Sequence, residues 1–70
     1  MKYQVGDLFV SKTCKGLILD IFMDTSSNVE KISVIYYEPL TYYTCIYTKP
    51  SLDCILQHLG GWTYYPVVKQ

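Results

Sequence analysis

Polar and apolar positions alternate with a period of two along much of this chain, the spacing of half-buried β-strands rather than of helices. The pattern is clearest in VEKISVIYYEPLTYYTCIYT, where two β-branched and aromatic runs meet at Glu38-Pro39. Pro39 cannot donate a ladder hydrogen bond and suits a turn, so one strand ends there and another begins. With Pro39 and Leu40 as a two-residue loop, Tyr37 faces Tyr42, Tyr36 faces Tyr43, Ile35 faces Thr44, Val34 faces Cys45 and Ser33 faces Ile46. The hairpin then has two faces. Ile32, Val34, Tyr36, Tyr43, Cys45 and Tyr47 are the more apolar set and are expected inside. Ser33, Ile35, Tyr37, Tyr42, Thr44 and Ile46 are expected outside.

Around this hairpin the remaining elements fall in order. Val5-Gly6-Asp7 is a turn signal leading into the strand-like Leu8-Phe9-Val10. Gly16 launches a second strand over residues 17–22. Its parity predicts Leu17, Leu19, Ile21 and Met23 inward, with Asp20 and Asp24 opposite. Residues 24–28, DTSSN, read as an exposed loop. Lys49-Pro50-Ser51 ends the β pattern: Ser51 is a good N-cap, Asp53 lies in the first turn, and Gly60 is placed to stop a helix. Between them Leu52, Ile55, Leu56 and Leu59 form one apolar stripe. A final strand over residues 62–68 carries Pro66, which assigns it to a sheet edge or a frayed end. The predicted order is β-β-β-β-α-β, an all-β single domain spanning residues 1–70 with one short helix.

Composition narrows the function classes. The 70 residues are 50% hydrophobic and 17% charged, which excludes a disordered tail. Six basic and six acidic residues cancel, so phosphate-backbone binding lacks its usual electrostatic term. A core this small supplies only about 3–5 kcal/mol, which favours a chain partly covered by another. Three cysteines cannot form a complete disulfide framework and point to a reducing compartment or to a particle assembled in one. MKYQVGDLF lacks the apolar run of a signal peptide, and no stretch is long enough to span a membrane. The expectation is a soluble protein made in a cytoplasm.

The opening V-G-D-L-F-V and the following K-G-L-I-L-D-I, with a helix after Ser51, resemble SH3-like small barrels. The matching residues are Gly6, Asp7, Gly16 and Ile18, and the helix is longer than the single turn usual in that architecture. The resemblance implies a five-stranded SH3-like barrel with one short helix between strands four and five. The tail L-G-G-W-T-Y-Y-P-V-V is similar to the ending of short uncharacterised proteins of tailed bacteriophages. It implies a viral accessory or virion protein, synthesised in the host cytoplasm, and carries no catalytic residue.

Candidate chemistry is sparse. Cys54 and His58 are spaced i, i+4 and would share a helix side, with Cys14 and Cys45 as further thiols, but no C-x-x-C knuckle supports a zinc site. Cys54 and His58 also lack an orienting third group and an oxyanion hole. Gly60-Gly61 follows the helix instead of preceding it, so it does not form a phosphate cradle. No catalytic, cofactor-binding or metal residue is expected, and no enzyme.

Two readings remain. Tyrosine-rich, half-apolar faces suit protein interfaces, where each ring buries area while its hydroxyl stays wet. That predicts a non-enzymatic structural or accessory protein acting through protein contacts, by self-association or within a larger viral assembly. Ile35, Tyr37, Tyr42, Ile46, Trp62 and Tyr64 are the candidate interface. The alternative is a small-barrel nucleic-acid-binding protein of phage replication or transcription, with Tyr37, Tyr42 and Tyr65 stacking bases. The six basic residues of the chain are scattered: Lys12 and Lys15 flank one loop, and Lys31, Lys49 and Lys69 are single.

Overall fold

In a computed structural model the chain folds into one five-stranded antiparallel sheet and one helix. The structure describes residues 2–39, 41–58 and 61–68; the side chain of His58 lies outside it. The elements are β1 (Leu8–Val10), β2 (Lys15–Asp24), β3 (Val29–Glu38), β4 (Thr41–Thr48), α1 (Lys49–His58) and β5 (Thr63–Tyr65). The strand order is β4-β3-β2-β1-β5. The sheet is not closed into a barrel: β4 and β5 are its two edges.

The hairpin register is the one that the alternation predicts. Tyr37 pairs with Tyr42, Tyr36 with Tyr43, Ile35 with Thr44, Val34 with Cys45 and Ser33 with Ile46, and Glu38 pairs with Thr41 across the turn. Pairing between β2 and β3 is less regular. Ile18 pairs with Val34 but Asp20 with Ser33, so Leu19 is an extra residue in a β-bulge. One extra residue exchanges the two faces of a strand. Before the bulge Gly16 and Ile18 point inward; after it Ile21 does. The expected inward set of Leu17, Leu19, Ile21 and Met23 is therefore corrected. Leu17 pairs with Ile35 on the outer face, while Leu19 and Met23 are exposed.

The core lies between the inner face of the sheet, α1 and the N-terminal segment. Phe9, Ile18, Ile32, Val34 and Tyr36 supply the sheet side, and Leu52 and Tyr3 cover it. Leu52 and Leu56 of the helical stripe pack on this cluster, so tertiary burial holds a helix too short to persist alone. Leu59 and Gly60, the expected end of stripe and helix, lie outside the described residues. The helix start differs from expectation. It begins at Lys49, and Thr48, not Ser51, is the cap: the Ser51 amide donates to Thr48 Oγ1 at 3.4 Å. Pro50 is tolerated because first-turn amides have no partner within the helix. Asp53 consequently falls in the second turn, where it accepts from the Tyr3 hydroxyl and pairs with Lys49 at 3.6 Å.

Asp7 is the one fully buried charged residue among those described. Its carboxylate accepts the amide of Gln4 at 2.9 Å, the amide of Val67 at 2.8 Å and the Tyr64 hydroxyl. With three donors its buried oxygens are satisfied, and it fastens the N-terminal turn to β5. Asn28, with φ 56°, and the Asp24 carboxylate, which accepts from the amide and hydroxyl of Ser26, shape the polar loop between β2 and β3.

Candidate protein interface

Cross-strand pairing places the outward residues in rows across all five strands. Tyr65, Leu8, Leu17, Ile35 and Thr44 form one row, and Thr63, Val10, Lys15, Tyr37 and Tyr42 form the next. Ile46 stands beside Ser33 in a third. Because α1 and the N-terminal segment pack on the inner face, no described element covers these rows. Tyr42 is 73% exposed, Ile46 60%, Tyr65 52% and Tyr37 46%. The Tyr37 and Tyr42 rings lie 6.4 Å apart, tilted by 39°, a contact that holds two large side chains in place in solvent.

Four of the six sequence-selected residues, Ile35, Tyr37, Tyr42 and Ile46, thus share the outer face. Trp62 and Tyr64 do not join them. Tyr64 stacks on Phe9 at 5.2 Å in the interior, and Trp62 packs on Tyr36 at 6.1 Å. Burial and the Asp7 hydrogen bond push the Tyr64 phenol up to about 12. Leu8, Leu17 and Tyr65 extend the outer face beyond the hairpin. Alternation alone puts Tyr65 out of phase with Tyr64, whereas Leu17 reads as inward unless the bulge at Leu19 is counted.

The inner face holds a second feature. Tyr36, Tyr43, Tyr47, Ile55 and Trp62 line a cleft of about 320 Å³ with Cys14 and Glu38. The Tyr36 hydroxyl donates to that of Tyr47 at 3.0 Å, and the Tyr43 hydroxyl to Glu38 at 3.2 Å. Burial, followed by Tyr36 for Tyr47 and by Glu38 for Tyr43, shifts both phenols upward. Burial also raises the Cys14 thiol, against the behaviour of an activated nucleophile.

Among the described residues no three His, Cys, Asp or Glu side chains gather as metal ligands. Cys14, Cys45 and Cys54 are free thiols, and Cys54 is exposed on α1. No helix of the described residues is long and apolar enough to cross a membrane. Lys12 and Lys15 border a shallow cleft with Tyr37, Glu38 and Pro39. Comparison with family models, with curated proteins and with solved structures finds no match.

Proposed function

We propose that this protein is a non-enzymatic interaction module that acts through protein contacts on the outer face of β3 and β4. The observation carrying this reading is the apolar, tyrosine-rich outer face over which no described element of the chain lies. Exposed rings held in a defined arrangement lose little entropy on binding, which suits them to anchor an interface. The strand order, with a helix between β4 and β5 and β5 returning to β1, supports an open variant of the SH3-like barrel. A structural or accessory role in a bacteriophage particle rests on the tail sequence alone.

A nucleic-acid-binding role is the second reading, favoured by the meeting of Lys12, Lys15 and Tyr37 in one shallow cleft. Glu38 shares that cleft and the chain carries no net charge, so the electrostatic contribution stays small. Light scattering of the concentrated protein, run beside a single-stranded DNA titration at several salt concentrations, separates the two. Mass above that of one chain with weak DNA binding is expected. A monomer that binds DNA with a steep salt dependence contradicts the interaction reading.

A further inference from the structure

The two edges of the sheet are guarded very differently. β5 is three residues long and Pro66 follows it directly, so it offers little to a further strand. β4 is eight residues long and pairs with β3 without a bulge. Its sequence, TYYTCIYT, contains no charge and no proline. Among the described residues, no main-chain hydrogen bond links residues 41–46 to anything except β3. Natural sheets block such edges with charge, proline, bulges or a covering element. Among the described residues none of those devices guards β4.

We infer that the free edge of β4 pairs antiparallel with β4 of a second copy of this chain, joining two sheets into one of ten strands. The inference rests on the interaction reading above and supplies its partner and mode. Charge placement favours a second copy in this orientation. Glu38, the last residue of β3, lies beside Thr41 at the turn end of β4, and Lys49, which also pairs with Asp53, lies at its helix end, with no charge between them along the chain. Antiparallel pairing sets the acidic end of each copy near the basic end of the other, whereas parallel pairing would set like beside like. Zero net charge leaves no general repulsion between copies.

Symmetry also limits the register. Across a two-fold axis normal to the sheet, residues that face each other must lie on the same face. Pairing centred on Thr44 meets this condition and sets Tyr42 against Ile46 twice on the outer face. Aromatic against β-branched and threonine against threonine are favourable cross-strand pairs. Thr44, Tyr42 and Ile46 are all exposed, so the outer-face pairs of this register are free to form. The Tyr37–Tyr42 pairs of the two copies then flank one continuous outer surface.

The test combines sedimentation with amide hydrogen exchange at low and high protein concentration, on the full chain and on Thr44→Lys and Thr44→Glu. Circular dichroism confirms that each variant is folded. The unchanged chain is expected to double its mass with concentration, and alternate amides of residues 41–47 to slow their exchange in parallel. Each variant alone should associate about tenfold or more weakly, because like charges then face each other across the axis. Mixing the two should restore the dimer, a rescue that an unfolded variant could not give. Assembly with no slowing of β4 amides overturns edge pairing and leaves the outer-face reading standing. Folded variants that dimerise unchanged, or a mixture that fails to recover, also overturn it. A monomer at every concentration does so too, and the interaction reading falls with it only if that monomer binds DNA in the salt-dependent way described above.

Discussion

Tyr37 and Tyr42 stand opposite each other on the outer face of β3 and β4, their ring centroids 6.4 Å apart. Neither ring is needed by the core, since Tyr42 is 73% and Tyr37 46% exposed. Two large rings held together in water serve the interior not at all and suit a partner well. Tyr42→Lys should therefore change folding stability by no more than about 0.5 kcal/mol, as surface substitutions generally do. Chemical denaturation checks this. Unfolding of the variant would mean that the ring supports the fold.

Gly16 and Tyr36 face each other on the inner side of the sheet, and the tyrosine ring lies over the glycine. A Cβ at Gly16 would sit 3.0 Å from Tyr36 Cε1. Tyr43, Tyr47 and Trp62 pack around that ring, so it has little freedom to withdraw. Gly16→Ala should destabilise by about 1–3 kcal/mol through overpacking. It should also disturb tryptophan fluorescence, because Trp62 rests on the displaced ring.

Asp7→Ala removes the acceptor shared by Gln4, Tyr64 and Val67. Leaving part-buried donors unsatisfied should cost roughly 2–4 kcal/mol. Tyr64→Phe removes one donor only and should cost about 1–2 kcal/mol. Urea midpoints order the two variants, and near-equal losses would mean that the carboxylate draws its stability from elsewhere.

Stability should decline at both ends of the pH scale. Burial first, then hydrogen bonding to Asp7, holds the Tyr64 phenol up at about 12, and burial raises Tyr3, Tyr36, Tyr43 and Tyr47 as well. An unfolded tyrosine ionises near pH ~10. The unfolded chain therefore releases protons first, so stability present below that pH is lost as pH rises through the folded values. At the acid end the Tyr3 hydrogen bond, followed by Lys49, lowers the Asp53 carboxyl. Its contribution is present above the ordinary carboxyl range and is lost as pH falls through the folded value. Circular dichroism against pH should show a plateau between these limits and cooperative loss above about pH 10.

The hairpin was legible because strict alternation and Pro39 together fix both its register and its faces. The inward set of β2 was not, because the bulge at Leu19 leaves no mark in composition and reverses the parity that follows it. Thr48 and Ser51 are both good caps three residues apart, and only the fold decides between them. Asp7 read as a turn residue. Its partners Tyr64 and Val67 lie near the other end of the chain, beyond the reach of any local pattern. Residue type alone groups Trp62 and Tyr64 with the outer tyrosines, but the phase of β5 and its entry place them inside. What remained out of reach was the free edge of β4, a property of strand order and not of any single strand.

Sedimentation of the unchanged chain and of Tyr42→Lys over a wide concentration range tests the outer face as an interface most directly. The unchanged chain should grow beyond the mass of one copy as concentration rises, while folded Tyr42→Lys stays at the mass of one. A folded Tyr42→Lys protein that assembles as readily as the unchanged chain contradicts the interface.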